Sequence, residues 1–399
     1  VRQIVIVFIL PFIISLTTVY FIASDREVNN FLFKKEPAAN AVKPAFNFIE
    51  NFRSNPACEE GFLKSGDSSE IIFLLGSSEL TSSSEAIPYN FIPDHFTTQL
   101  KAIGHAGNQC FSMYAQLLAN DQRLKNAPVI IILSPGWFES KASRGVSSDI
   151  FLEFVSERFL NRIIKSKNNA EYNAYLYKRI AELFSELNSP SLELKLINFK
   201  HYASKSFIHK TIYAPVLFCD DILVHLKEKL IPELMADNAI VKRLPIAPDH
   251  LSLNWDSLYA ASKEEVIRKS TNNSLGIADD YYTLYIHGKT GRTEAVSEKF
   301  NVELEDFKML IKLLKEKQAN AKFIISPLNP LYYKNLKALS PTINIIESEI
   351  KKNGFSYLNL LETDSAKYEK PILHDIMHMS DYGWYKIDHF IIDTYHLTQ

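Results

Sequence analysis

The sequence predicts an α/β fold, a parallel sheet flanked by helices. Three observations carry this. Short apolar runs that read as buried strands, Ile71–Leu75 and Pro128–Leu133 among them, alternate with stretches of helical periodicity. These runs stop at turns: Gly76-Ser77-Ser78, Ser134-Pro135-Gly136 and Ser326-Pro327. In a parallel sheet such turns gather at the C-terminal ends of the strands, where sites form. The residues suited to chemistry fall in the same places: a serine pair after the first run, and Asp375-Ile376-Met377-His378 near the end of the chain.

The elements follow in order. Residues 70–76 read as a buried strand closed by glycine, 108–119 as a helix, and 128–133 as a second buried strand. A long helical section, roughly 147–235, has little strand character; Ala170–Leu187 and Leu217–Leu230 are its apolar-periodic stretches. In 301–319, Leu304, Phe307, Leu310, Ile311 and Leu314 share one helical face. Lys322–Ser326 is a strand, Ile343–Lys352 a helix with Gly354 suited to its left-handed cap, Phe355–Leu358 a strand, and Tyr382–His396 a last helix. No internal repeat or low-complexity tract is visible.

The 399 residues suffice for one large α/β domain or two smaller ones. A net charge of −2 argues against nucleic acid as partner, because phosphate binding needs a concentrated basic surface. From Ile4 to Ala23 the only polar interruptions are Ser15, Thr17 and Thr18. Roughly 20 such residues cross a bilayer as a helix. Ile22-Ala23-Ser24-Asp25 is a poor small-x-small cleavage site, which favours a retained anchor over a signal peptide. The expected organisation is an anchor at 1–26, a membrane-proximal stalk at 27–68 with Lys34-Lys35 near lipid headgroups, and a catalytic domain at 69–399. Residues 147–240 are expected as a helical insertion. Of Cys58, Cys110 and Cys219, the first two are the disulfide pair to test first; buried free thiols are the alternative.

A serine hydroxyl is a weak nucleophile until a base takes its proton. Placed after a strand at a helix start, it is exposed and has backbone N–H groups around the developing oxyanion. Gly76 permits the turn; a plain serine-rich turn, with Ser82, Ser83 and Ser84 close by, is the bland alternative. Asp375, three residues before His378, brings carboxylate and imidazole to one side of a turn, so that the carboxylate orients the ring. His378 then serves as base towards the serine and acid towards the leaving group. The rival is a zinc site over His374-Asp375-Ile376-Met377-His378, disfavoured because Ser380-Asp381-Tyr382-Gly383 interrupts a continuous helix.

A serine on a glycine turn with a late Asp-x-x-His resembles the SGNH serine hydrolases. More closely, the chain resembles the DltD family of teichoic acid D-alanylation. The resemblance lies in an N-terminal anchor, Gly76-Ser77-Ser78-Glu79, Ser134-Pro135-Gly136-Trp137-Phe138, and Asp375-Ile376-Met377-His378 with Gly383-Trp384. Asn272-Asn273-Ser274-Leu275-Gly276, Tyr281-Tyr282-Thr283-Leu284-Tyr285 and Ser326-Pro327-Leu328-Asn329 look like further family segments. The resemblance implies an SGNH-like fold facing outward from the cell membrane, with Ser78, His378 and Asp375 as triad. Ser78 is preferred to Ser77 because the Gly-x-Ser of SGNH enzymes places the nucleophile third. Gly107 looks like the oxyanion glycine, and Trp137 like a wall of the acceptor groove; a loop glycine and a core tryptophan are the plain alternatives. Gly136 stands where the family usually carries Gln, no Gly-x-Asn-Asp block is visible, and Met379-Ser380-Asp381-Tyr382 lengthens the ending.

The implied function is D-alanyl transfer. A membrane O-acyltransferase and the D-alanyl carrier system would be partners, and a hydroxyl of an anionic envelope polymer the acceptor. Ester chemistry of this kind needs no cofactor. Two other functions compete. One is an O-acetyl transferase or esterase on an exported polysaccharide, separated by acyl specificity, with Glu79 a candidate to recognise the D-alanyl ammonium. The other is a non-catalytic scaffold, for which Ser78 would be dispensable.

Overall fold

The computed structural model describes residues 47–53, 71–140, 142–156, 159–160, 163, 170–185, 208, 211 and 253–397. The chain separates into two compact units: Phe46–Val155 with Val241–Gln399, and Val1–Ala45 with Ser156–Ile240. The first unit holds the sheet and the site. The first unit includes α3 (Ser148–Phe154), and the second includes α4 (Ala170–Ser185), within the first of the two apolar-periodic stretches. Leu217–Leu230, Cys58 and the apolar run Ile4–Ala23 lie outside the described residues. Among the described residues no helix is long and apolar enough to cross a membrane.

The strands are β1 (Phe48–Ile49), β2 (Ile71–Leu75), β3 (Gln99–Ile103), β4 (Pro128–Leu133), β5 (Gly291–Arg292), β6 (Asn320–Ile325), β7 (Tyr333–Lys334) and β8 (Ser356–Asn359). Six of them form one sheet in the order β1-β3-β2-β4-β6-β8, with every pairing parallel. β5 and β7 make a separate small parallel pair. The chain leaves β2 for β3 on one side, then returns past it to β4 on the other. That reversal opens a crevice at the C-terminal ends of β2 and β4, where ligands bind in open α/β sheets.

The central strands are apolar along their length because both faces are covered. Side chains alternate, so Ile72, Leu74, Ile130, Ile132 and Ile324 share one face. They pack there with Ile92 of α1 (Pro88–His95) and Trp384, Ile387 and Ile391 of α8 (Asp381–Tyr395). On the opposite face Phe323 of β6 meets Phe307 of α6 (Val302–Glu316) edge-on at 6.1 Å. α6 packs beside α2 (Cys110–Ala119), and Glu303 Oε1 accepts the Cys110 N–H at 2.8 Å. Cys110 is a buried free thiol, the second of the two readings its sequence left open; Cys58 lies outside the described residues. Burial, reinforced by the Glu303 carboxylate, pushes that thiol well up.

Several elements start or stop for local reasons. α6 is capped by Asn301, which accepts the Leu304 N–H at 3.0 Å. Gly354, at φ +78°, follows α7 (Ser340–Lys352) in the left-handed conformation expected of it. Elements of this unit not expected from sequence are the two-residue strands β1, β5 and β7, and the longer β3, α1 and α5 (Trp255–Lys269). β3 alternates Gln99 and Lys101 with Leu100 and Ala102, a weak pattern over five residues. α1 begins on Pro88 and contains Pro93, which reads as a breaker. α5 buries only Ser262 fully, so its apolar periodicity is faint.

Candidate active site

At the end of β2 the chain turns at Gly76 and enters a 3-10 turn, Ser78–Thr81, shorter than the helix expected there. The turn lies against the one after β3. A Cβ on Gly104 would stand 2.7 Å from the Gly76 carbonyl oxygen, so only glycine allows this approach. Gly76 N–H donates to Ile103 O at 3.1 Å, and Asn108 Nδ2 donates to Gly76 O at 2.8 Å. Ser77 is built into the same joint. Its hydroxyl donates to His105 O at 3.0 Å and accepts the Gly107 N–H at 3.1 Å. Gly107 sits at φ +88°, open to glycine at little cost. The Ser77 N–H donates to Glu79 Oε1 at 2.7 Å.

Ser78 faces the other way. Its Oγ lies 2.9 Å from His378 Nε2, across 300 residues of sequence. His378 Nδ1 lies 2.7 Å from Asp375 Oδ2. The Asp375 Oδ1 accepts the N–H groups of Met377 at 2.8 Å and His378 at 2.7 Å. One carboxylate therefore closes the loop and holds the ring. The loop is tethered on several sides. His374 N–H donates to His378 O, Ala278 N–H donates to His374 O, and Asn329 N–H donates to Ile376 O, all within 3.0 Å. Asn329 is wholly buried, and its side chain also donates to Leu275 O at 3.0 Å and accepts the Leu331 N–H at 3.0 Å. Ser380 caps α8 and donates to Pro371 O, so the helix start and the loop move as one piece.

The electrostatics favour a proton acceptor on the serine. Burial pulls the His378 pKa down, but the hydrogen bond and charge of Asp375, with the charge of Glu79, raise it above its ordinary 6.5. Burial works against ionisation of Asp375; the His378 side chain and the two backbone donors outweigh it and hold the carboxyl below its usual range. Glu79, only 5% exposed, is raised by burial, despite the Ser77 N–H and the His378 charge.

Two cavities meet at this triad, and Ser78, Glu79 and His378 line both. The larger, about 510 Å³, has Ser82, Ser83 and Ser84 on one wall and Glu265 and Lys269 of α5 on another. The smaller, about 340 Å³, is walled by Gly107, Trp137, Leu328, Tyr333 and Met377. Trp137, mostly buried in the turn Pro135–Phe138, thus presents an edge to the cavity. All the residues singled out from sequence (Ser77, Ser78, Glu79, Gly107, Trp137, Asp375 and His378) line one cavity or the other.

Comparison with known proteins agrees in extent. A family model described as DltD protein matches residues 57–396. The chain belongs to the DltD family. It is 22% identical over 329 residues to Protein DltD of Staphylococcus aureus (strain NCTC 8325 / PS 47), covering 79% of this chain and 78% of that one. It is 22% identical over 341 residues to Protein DltD of Bacillus subtilis (strain 168), covering 81% of each.

Gly136 lines the smaller cavity. Met379 packs in the main core and Asp381 accepts the Ser84 hydroxyl at 2.6 Å, so the longer ending joins α8 to the serine-rich turn. The joints made by Asn108 and Asn329 had no sequence signal beyond their place in motifs. Their partners are far off in the chain. The polar wall of α5 was missed along with the helix itself.

Proposed function

We propose that this chain is an extracytoplasmic serine acyltransferase that moves D-alanyl groups onto a teichoic acid or related envelope polymer. Membership of the DltD family ties it to D-alanylation of teichoic acids. The observation that carries the acyl-serine chemistry is the unbroken line from Asp375 Oδ2 through His378 to Ser78 Oγ, at 2.7 and 2.9 Å.

In the first half-reaction Ser78 Oγ attacks the acyl carbonyl and His378 Nε2 takes its proton. The imidazolium is stabilised by Asp375, which stays ionised. His378 returns the proton to the leaving group, and an ester remains on Ser78. In the second half a polymer hydroxyl gives its proton to His378 as it attacks that ester. Ser78 Oγ leaves and is reprotonated. The oxyanion forms beside the backbone N–H of Ser78, which opens the turn and has no partner within it. Gly107 lines the smaller cavity together with Ser78, but its N–H is held by Ser77 Oγ at 3.1 Å, so a developing oxyanion has to compete for it. No step needs a cofactor.

The two cavities suit a transferase, since donor and acceptor can flank one serine. A membrane O-acyltransferase delivers the acyl group to a chain anchored by residues 1–26. The ammonium groups so added lower the attraction of an anionic envelope for cationic peptides. The test is direct capture. The full chain is incubated with a D-alanyl thioester, quenched in acid and digested. A D-alanyl adduct on the peptide holding Ser78, absent from His378→Ala, is expected. An unmodified peptide with undiminished acyl transfer sinks the acyl-serine reading.

A further inference from the structure

Glu79 is the one charged residue of the nucleophile turn, and the acyl-transfer steps give its carboxylate no part in holding the acyl group. It follows the nucleophile directly and is 5% exposed, yet it lines both cavities. One carboxylate oxygen is fixed, because Oε1 accepts the Ser77 N–H at 2.7 Å. The group therefore cannot swing out to water without breaking that bond. Among the described residues the cationic side chain that bears on it is His378. His378 is itself spoken for by Asp375 at 2.7 Å. Lys269 on the larger cavity's wall is paired with Glu265 at 2.6 Å. A buried carboxylate with no cation of its own is costly unless something pairs with it.

A group esterified to Ser78 carries its α-substituent three bonds from the ester oxygen, within cavities that Glu79 also lines. We infer that Glu79 is the specificity residue of the site, its carboxylate receiving the α-ammonium of an aminoacyl group held on Ser78. This rests on the acyl-serine reading and deepens it. It explains why a site otherwise built for any ester carries a carboxylate at the acyl position. A simple acyl group, such as acetyl or propionyl, leaves that carboxylate unpaired and is disfavoured, since a site built for a polar group rejects the analogue lacking it.

The competing role for Glu79 is support of His378 alone, which acts on every acyl group alike. Matched aryl esters of D-alanine and propionate separate the two roles, because they differ at the α-amino group. The full-length chain in detergent is assayed well above the His378 midpoint, so that the base is neutral in every variant. Wild type is expected to prefer the D-alanyl ester. Glu79→Gln, which still accepts the Ser77 N–H, is expected to lower kcat/KM for the D-alanyl ester about tenfold or more, the scale of a charge-assisted hydrogen bond. The propionyl ester, whose acyl group no longer faces an unpaired carboxylate, should not lose in parallel, so the ratio of the two kcat/KM values falls about tenfold or more. Equal losses on both esters, or no preference in wild type, would overturn the proposal while Ser78-dependent turnover survives. Turnover retained in Ser78→Ala would instead bring down the acyl-serine reading, and this inference with it. Should Glu79→Gln not fold, inhibition of wild-type propionyl-ester turnover decides. D-alaninamide inhibits and propionamide at the same concentration does not; equal inhibition by the two overturns the proposal.

Discussion

Ser77 and Ser78 are neighbours with opposite duties. The hydroxyl of Ser77 is spent on His105 O and the Gly107 N–H, while that of Ser78 meets His378. Ser77→Ala should cost about 1–3 kcal/mol of stability, because it leaves a buried donor and acceptor unpaired. It should retain the reactive serine, as read by denaturant unfolding beside active-site labelling. The pH profile follows from His378. The neutral ring is the base, and its pKa is raised, so acylation rate climbs with pH through a midpoint above 6.5. Asp375→Asn and Glu79→Gln each remove a charge that favours the imidazolium and should move that midpoint down; an upward move in either would contradict the assignment. At this scale the triad was legible because its parts are local: Gly76-Ser77-Ser78 on a strand end and an Asp-x-x-His loop. Asn108 was not, because its carbonyl partner is 32 residues away and nothing local marks an amide as a joint.

The elements hold these residues by packing and by close approach. Trp384 is wholly buried at the start of α8, behind the loop that carries His378. Trp384→Ala should destabilise the fold by about 3–5 kcal/mol, measured by chemical denaturation. The Gly-Trp pair read as a family signature is thus, in physical terms, a core anchor. Gly104→Ala drives a Cβ into the Gly76 carbonyl and should cost about 1–3 kcal/mol. It should also slow serine acylation, because the nucleophile turn has to shift. An unchanged acylation rate would show that the two turns are not coupled. The strongly apolar strands β2 and β4 and the amphipathic α6 and α8 were readable from composition and period. β3, α1 and α5 were not, since alternation over five residues, internal prolines and a nearly unburied face each erase the local signal.

For the molecule as a whole, the strand order puts the reversal point at β2 and β4, and Ser78 stands where that reversal opens a crevice. His378 arrives from the other end of the chain, on the loop before α8. An α/β sheet was legible as a pattern of alternating elements, and its candidate site residues as motifs at the two ends of the chain, but the strand order was not, because β3 had no clear signature. The DltD assignment rests on motifs spread over the chain, matched from 57 to 396. If residues 1–26 anchor the chain, removing them should release it from membranes and abolish envelope D-alanylation in cells, while the truncated protein keeps its reactive serine. Fractionation and alkali-labile D-alanine report the two effects.

The most direct test of an activated serine is labelling of the full chain with a fluorophosphonate, in wild type, Ser77→Ala, Ser78→Ala and His378→Ala. With Ser78 as nucleophile and His378 as its base, label is expected on wild type and Ser77→Ala and lost from the other two. Label retained by Ser78→Ala, or absent from wild type that is folded, would contradict the triad.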